Sequence, residues 1–582
     1  MASTSVPDPV TVLTSELQNK LKGRIDNVLA RIVKTNLHTR FTQESAVFTD
    51  FHSAVGVLGD GREAQDSSLL EAFRATVPLT TYPSYEPFIA RFFEQPCKED
   101  RVKDLFAPGL PLIVALSSAT SGGASKFFAK YRHMPVYDWC PIPMSESGGT
   151  TCAVLSLKTF QLIEIHGDGE TTFLPVAPVS STAIRMRNDI NEGDHTSTLK
   201  RTLPGMSSPL AVSYLGNYRS FLLMHALFAL ADPALEFMYM CFSTTFVDMI
   251  RYVEEQWETL INSIETGELP NYEDVDAVRE YLTPKFPPQP SRAAELRAIG
   301  ISTDTPGWLA RVWPRLKTVV SIASGMFGAA VPKMQHYLGP NVLIRTLGLT
   351  ASEGFVGLEY NPSDLNLFKA ASDSVIEYLD VSADVSHANL VPAWEIQTGH
   401  QYEVVMTTRD GLWRYRLEDV IEVAGFDPED GVPVLKYVDR RNVLARLGGT
   451  MTSGKVLTDA ILATQDALGK IAEFTVVMDH RTMPSRFGYI VEIEGALGPD
   501  VHAARQKVTE HLRLTGLVLQ KFIDGGIIGQ PSIRILKPGT FAEFRQRKVE
   551  LANSGAGQMK VPVVLSDEPA QKWLFERVME EL

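Results

Sequence analysis

A loop of small hydroxyl-bearing residues and glycines, SSATSGGASK, spans Ser117–Lys126 directly after the apolar run PLIVAL at 111–116. A short apolar run of this kind is typical of a fully buried strand. Backbone N–H groups of a Ser/Gly loop at a strand end can converge on an anion, and Lys126 adds a compact positive charge. The spacing is not that of a Walker A loop. The pattern predicts a phosphate-binding loop, with a flexible connection as the alternative.

A carboxylate follows a second apolar segment, in the sequence TASE at Thr350–Glu353, beside Gly354 and Gly357. Mg²⁺ in nucleotide sites is held by one or two carboxylates together with phosphate oxygens. Glu353 is therefore a candidate Mg²⁺ ligand. The alternative is an ordinary solvated surface residue.

The segment GLWRYRLED at Gly411–Asp419 is the third chemical signal. Alternation along a strand would place Arg414 and Arg416 on one face, opposite Trp413 and Tyr415. Asp419 could accept hydrogen bonds from ribose hydroxyls, as acidic residues do in other nucleotide sites. A structural Arg–Asp pair at a sheet edge is the alternative.

A fourth candidate is Lys560, which follows the glycine-bearing stretch NSGAGQM near the end of the chain. A lysine carried by a mobile domain could neutralise the charge that develops during phosphoryl or adenylyl transfer. His133 lies near the first loop, although a lone histidine is more often structural. The sequence contains neither HExxH nor Gly-x-Ser-x-Gly, so metalloprotease and serine-hydrolase chemistry have no support.

These segments must be positioned by more than one hydrophobic core, since 582 residues exceed what a single core usually organises. Strand and helix patterns alternate through most of the chain, and a smaller unit with its own alternation follows the charged segment at 436–441. We expect an α/β fold with a large N-terminal domain, residues 1–436, whose β-sheets are flanked by helices. A smaller, mobile α+β domain, residues 437–582, would follow a hinge near 437–441.

Composition excludes several classes of protein. The net charge is −14, from 55 basic and 69 acidic residues, which argues against non-specific binding to nucleic acid or anionic membranes. No signal peptide or membrane span is apparent, and the four cysteines have neither disulfide-framework nor zinc spacing. We expect a reduced cytoplasmic protein, a monomer or weak oligomer, without nucleic-acid or membrane partners.

Taken in order, these segments resemble the auxin-responsive Gretchen Hagen 3 family of plant acyl-acid amido synthetases, a branch of the adenylate-forming enzymes. Ser117–Lys126 is similar to the family loop Ser-Ser-Gly-Thr-Ser-x-Gly-x-x-Lys, and LTASE at 349–353 to Tyr-Ala-Ser-Ser-Glu. Gly411–Asp419 is similar to Gly-Leu-Tyr-Arg-Tyr-Arg-x-Gly-Asp, and QMKVP at 558–562 to Gln-Tyr-Lys-x-Pro. The resemblance covers roughly residues 75–565, and four motifs at family-like spacing make it specific.

The resemblance implies a ligase that forms a C–N bond in two steps from ATP, a carboxylic acid and an amine, typically that of an amino acid. The acid would first displace pyrophosphate from ATP to give an acyl-adenylate, and the amine would then displace AMP. Implied roles are Mg²⁺ binding by Glu353, ribose binding by Asp419 and assistance to the transfer by Lys560. The implied nucleotide-binding residues are Ser117, Ser118, Thr120, Ser121, Lys126, Thr350, Ser352 and Arg416. Phe355 and His133 are candidates for the substrate pocket.

The chain departs from the family pattern at three positions. Ala119 replaces the loop glycine, Leu349 stands where the family has a tyrosine that packs on adenine, and Glu418 replaces the glycine before Asp419. Two other functions therefore stay open: an adenylate-forming ligase with a thiol acceptor, and a non-catalytic nucleotide- or metabolite-binding protein of the same fold.

Overall fold

The computed structural model describes residues 6–56, 66–117, 126–131, 148–188, 190, 195–441, 444–447, 450–552 and 560–582. The fold is mixed α/β, with sheets flanked by helices, as the sequence predicts.

The helices account for much of the N-terminal half and the periphery of the sheets. They are α1 Ser15–Asn36, α2 Arg40–Glu44, α3 Thr49–Gly56, α4 Asp66–Thr76, α5 Tyr82–Ile89, α6 Glu99–Val102, α7 Thr182–Arg187, α8 His195–Leu199, α9 Tyr218–Ala231, α10 Ser243–Glu255, α11 Trp257–Thr266, α12 Arg279–Leu282, α13 Pro290–Ile299, α14 Trp308–Val312, α15 Val331–Leu338, α16 Gly454–Leu462, α17 Gln465–Leu468, α18 Ala504–Leu514, α19 Leu517–Asp524, α20 Thr540–Ala552 and α21 Glu568–Phe575.

The strands are mostly short. They are β1 Cys97–Lys98, β2 Ile113–Leu116, β3 Phe127–Lys130, β4 Thr150–Val154, β5 Gln161–His166, β6 Thr171–Pro178, β7 Leu235–Phe242, β8 Thr318–Ile322, β9 Leu343–Thr346, β10 Leu349–Thr350, β11 Phe355–Asn361, β12 Asp364–Ala370, β13 Val375–Asp380, β14 Leu390–Pro392, β15 Gln401–Thr407, β16 Tyr415–Phe426, β17 Pro433–Arg440, β18 Leu444–Leu447, β19 Thr450–Ser453, β20 Ile471–Asp479, β21 Arg486–Ile493, β22 Ser532–Leu536 and β23 Val578–Glu581.

Three sheets form the main body of the molecule. One has the order β1-β5-β6-β2-β3, in which β2 runs parallel to β6 and antiparallel to β3. A second, β4-β7-β8-β9, is parallel throughout. The third is an antiparallel sheet of eight strands, β10-β11-β12-β17-β16-β15-β13-β14. The four strands β20-β21-β22-β23 make a separate sheet late in the chain, and β18 pairs with β19 as a hairpin.

The parallel sheet lies in the largest hydrophobic core, because its strand β7 and the neighbouring helix α9 are apolar on nearly every face. All residues of α9 except Arg219 are buried, and β7 exposes little more than part of Phe237. A helix that is apolar all round must be buried on all sides. The aromatic and aliphatic side chains of α9, α10 and β7 form one continuous cluster with α13 and α14.

The helix α1 packs against segments that lie far away in the sequence. Thr14 caps its N-terminus by accepting the N–H of Leu17 at 3.2 Å. Arg24 pairs with Asp430 at 3.2 Å, and the Asn36 amide donates to the carbonyl oxygen of Arg409 at 3.2 Å. The N-terminal helix is thereby fastened to the eight-stranded sheet.

The last part of the chain, residues 454–582, is here called the C-terminal unit. Its contact with the main body contains a buried charge network at Arg545 of α20. The Arg545 guanidinium donates to Asp248 of α10 at 2.8 Å and to Glu473 of β20 at 2.7 and 2.8 Å. Tyr218 also donates to Asp248, at 2.8 Å. These four side chains therefore join α9 and α10 to the C-terminal unit.

Candidate functional site

A cavity of about 1290 Å³ lies between the main body and the C-terminal unit. Residues from both parts line it, including Lys455 at the start of α16 and Tyr437 within β17. Seven residues predicted from the sequence also line it: Ser117, Lys126, Thr350, Ser352, Glu353, Asp419 and Lys560. Four segments separated by as much as 443 positions, from Ser117 to Lys560, thus meet in one cavity.

The two ends of the predicted phosphate loop are held together by two hydrogen bonds. Ser117, after β2, donates its N–H to the carbonyl oxygen of Lys126 at 2.8 Å, and the Lys126 N–H donates to the Ser117 hydroxyl at 3.0 Å. The Lys126 ammonium lies 5.8 Å from the centre of the Tyr82 ring. The antiparallel pair β2–β3 therefore fixes both ends of the loop beside the cavity. The positions of Ser118, Thr120 and Ser121 lie outside the described residues, as does that of His133.

Glu353 lies in a tight turn between β10 and β11. The turn is closed by a hydrogen bond of 3.0 Å from the Ala351 N–H to the carbonyl oxygen of Gly354. Glu353 is only 5% exposed, yet it lines the cavity. Phe355, the first residue of β11, is half-buried and is not among the described residues that line the cavity.

Asp419 and Lys560 share one electrostatic environment. Burial raises the pKa of Asp419 to about 6, against the effect of the nearby Arg440 guanidinium. Burial, together with the positive charge of Arg440, lowers the pKa of Lys560 to about 8, and Asp419 opposes that shift. The Arg440 Nε lies 3.9 Å from Asp419 Oδ1. Near pH 7 these shifts leave the aspartate mostly ionised and the lysine mostly protonated.

The backbone before Asp419 is in the left-handed region. Glu418 has φ +68°, where a glycine would be favoured, and its carbonyl oxygen accepts the Arg441 N–H at 2.6 Å. Here β16 has an irregular register against β15. The departure from the family pattern at Glu418 therefore falls on a position where a side chain is strained.

The two arginines of the same segment are engaged in ion pairs. Arg414 donates to both oxygens of Glu377 at 2.9 Å. Arg416 makes the same bidentate arrangement with the fully buried Glu403, at 2.8 and 3.0 Å, and is absent from the described cavity lining. Arg416 thus forms a structural ion pair with a glutamate, not with the aspartate considered from the sequence, and its nucleotide contact stays a prediction.

Several lining residues were not predicted from the sequence. Arg440 and Tyr437 face the cavity from β17, and burial, with Asp419 close by, raises the pKa of Tyr437 well above its ordinary value. Phe242 and Phe327 stack at 4.5 Å between ring centres on an apolar side of the cavity.

The carboxylates of the cavity suit a metal ion that takes most of its ligands from water and from phosphate oxygens. Within the described ranges, no group of three or more His, Cys, Asp or Glu side chains could hold a metal ion. Glu353 instead presents a carboxylate beside the hydroxyl-bearing residues Thr350 and Ser352. That set fits Mg²⁺, which is usually held by one or two carboxylates, waters and substrate phosphates.

No helix in the described part of the chain is both long enough and apolar enough to cross a membrane.

Comparison with known protein families identifies three consecutive matches. Residues 16–343 match the GH3 family N-terminal domain, residues 370–440 the GH3 family central domain and residues 455–569 the GH3 family C-terminal domain.

Individual relatives are distant but similar over nearly the whole length. An indole-3-acetic acid-amido synthetase of Arabidopsis thaliana, GH3.15, is 24% identical over 620 residues, which cover 98% of this chain and 94% of the relative. A jasmonoyl–L-amino acid synthetase of Oryza sativa subsp. japonica, GH3.5, is 24% identical, covering 84% and 86%. The solved structure of GH3.15 acyl acid amido synthetase superposes with a TM-score of 0.75 at 22% identity, covering 97% and 96%. This structural likeness shows the same fold.

Proposed function

Because this chain belongs to the GH3 family, we propose that it is an ATP-dependent acyl-acid amido synthetase. The observation that carries the proposal is the convergence of the loop ends Ser117 and Lys126 with Glu353, Asp419 and Lys560 in one cavity. A nucleotide-binding protein without catalysis would need neither a carboxylate suited to Mg²⁺ nor a lysine in the same cavity.

In the first half-reaction, a carboxylate oxygen of the acid attacks the α-phosphorus of ATP and pyrophosphate leaves. The loop that begins at Ser117 and ends at Lys126 holds the phosphates through N–H groups and the ammonium charge. Asp419, mostly ionised near pH 7, accepts hydrogen bonds from the ribose hydroxyls. The Lys560 ammonium lies in the same cavity and neutralises charge that develops on the oxygens around phosphorus.

A Mg²⁺ ion held by Glu353 would neutralise part of the negative charge of the ATP phosphates. The apolar wall around Phe242 and Phe327 accommodates the hydrocarbon part of the acid.

In the second half-reaction, the amino group of an amino acid attacks the acyl carbon, and AMP leaves. Rotation of the C-terminal unit about the segment near 437–441 would withdraw Lys560 and admit the amine.

Pyrophosphate release on mixing the protein with Mg-ATP and a panel of aromatic, fatty and other carboxylic acids tests this function. At least one acid should stimulate release, and adding amino acids should give an amide detectable by mass spectrometry. Thioester formation with a thiol acceptor would instead support the alternative ligase, and ATP binding without release for any acid would support a binding protein.

Two substitutions test the site. Glu353→Gln and Lys560→Met should each lower the rate of pyrophosphate release by about 10²–10³-fold, the usual effect of removing one group that stabilises transition-state charge. Lys572→Met is the matched control, because Lys572 is exposed on α21 of the same C-terminal unit. Unchanged rates in both site variants would contradict the assigned roles.

A further inference from the structure

Lys130 is a buried cation that lies just behind the wall of the cavity. It is the last residue of β3, four positions after Lys126, and only 2% of its surface is exposed. It is not one of the described residues that line the cavity. A lysine buried to this degree requires a compensating charge and hydrogen-bond acceptors.

Two acceptors meet the Lys130 ammonium, and they belong to two different motifs. Its Nζ donates to the backbone carbonyl oxygen of Glu353 at 2.7 Å and lies 3.3 Å from Asp410 Oδ2. The other carboxylate oxygen of Asp410 accepts the N–H of Tyr131 at 2.9 Å. Asp410 directly precedes the Gly411–Asp419 segment, so a single side chain connects β3, the Glu353 turn and that segment.

The strand that carries Lys130 is itself fixed to the same neighbours. Phe128, two residues earlier and on the same strand face, packs edge-on against Tyr415 at 5.9 Å between ring centres. At the other end of β3, the hydrogen bonds between Ser117 and Lys126 close the loop. The distance from the phosphate loop to Glu353 is therefore set through one short, buried strand.

We propose that Lys130 is a positioning residue that places Glu353 for Mg-ATP through its hydrogen bond to the Glu353 carbonyl oxygen. The role rests on the proposed function of the site. Mg²⁺ demands nearly ideal octahedral geometry, so a displacement of its carboxylate weakens binding more than it would for a less demanding ion. Residues that orient metal ligands typically change metal affinity by about 10–100-fold when they are removed.

The test measures ATP affinity by calorimetry in the presence and in the absence of Mg²⁺, which separates metal positioning from nucleotide binding. Lys130→Met should weaken the binding of Mg-ATP by about 10-fold or more, with metal-free ATP binding unchanged. Lys130→Arg, which keeps a charged donor, should recover much of the loss. Lys369→Met is the matched control, because Lys369 pairs with Asp427 at 2.8 Å away from the cavity.

Lys130→Met leaves Asp410 without its lysine partner, so the double variant Lys130→Met/Asp410→Asn removes both charges and keeps the measurement possible if the single variant does not fold. If both variants still bind Mg-ATP as the wild type does, the positioning role of Lys130 is overturned, whereas the proposed function of the site is not. An equal loss of Mg-ATP and metal-free ATP binding also overturns the role of Lys130, because that result indicates a general structural defect. A wild-type protein that does not bind ATP overturns the proposed function, and the role of Lys130 with it.

Discussion

Substitution of Asp248 by asparagine should free the C-terminal unit from the arrangement in which Lys560 lines the cavity. Asp248 belongs to α10 of the main body, and its partner Arg545 belongs to α20 of the C-terminal unit. Asp248 is 4% exposed and Arg545 2% exposed, so their interaction is shielded from water. If the C-terminal unit rotates during catalysis, the Asp248–Arg545 ion pair exists in only one arrangement of that unit relative to the main body.

The size of the effect follows from what asparagine keeps. Complete removal of one partner of a buried ion pair costs about 3–5 kcal/mol. Asparagine retains an oxygen that accepts from Tyr218 and Arg545, so the expected loss is that of one charge-assisted hydrogen bond, about 1.5–3 kcal/mol. At about 1.4 kcal/mol for each factor of ten, the arrangement shown here becomes about 10- to 150-fold less favoured.

The two half-reactions report this shift separately. In a rapid-mixing experiment, Asp248→Asn should slow pyrophosphate release, whereas reaction of an amino acid with a preformed acyl-adenylate should not slow. Glu255→Gln is the control on the same helix, since its pair with Arg219 is about 40% exposed and such pairs contribute little. An equal fall in both half-reactions, or no change in either, would refute a role for this network in domain arrangement.

Two further predictions concern stability. Glu418→Gly should raise the free energy of unfolding by about 0.5–1 kcal/mol, because it relieves a left-handed backbone while adding freedom to the unfolded chain. Urea denaturation measures this change, and Glu422→Gly in the same strand should instead destabilise the protein. Burial lowers the pKa of His225 to about 3, so only the unfolded chain gains this proton as the pH falls below about 6.5. The wild type should therefore lose about 2 kcal/mol of stability at pH 5 relative to pH 7.5 through this residue, and His225→Gln should lose correspondingly less; identical pH profiles for the two proteins would contradict this account.

Strands could be predicted from the sequence where a short run of apolar residues forms a fully buried strand. The apolar run at 111–116 predicts β2, which spans Ile113–Leu116. All four residues of this strand are buried, so its apolar sequence is a sufficient signal for it. Glu353, Asp419 and Lys560, which line the cavity, could be selected because each lies in a short family-like motif.

Partners that are distant in the sequence could not be predicted. The ion pair of Arg416 is an example, because nothing in its own segment identifies Glu403, on the neighbouring strand β15, as its partner. Lys130 and Asp410 lie in no recognised motif, and their proximity follows only from the packing of β3 against the eight-stranded sheet. A single sequence contains the residue types of such pairs, but it does not show how strands and loops pack to bring them together.

The attachment of α1 to segments nearly 400 residues later has a consequence for synthesis of the protein. The carbonyl oxygen of Arg409 that accepts from Asn36 is made 373 residues after it, and Asp430, the partner of Arg24, is made 406 residues after it. At about 5–20 residues per second, the ribosome needs roughly 20–80 s to deliver these partners. Leu21, which is buried in one cluster with residues of the eight-stranded sheet in the finished protein, lacks those packing partners during that interval. We therefore expect the apolar face of α1 to stay partly uncovered during synthesis, which is when exposed apolar surface favours aggregation.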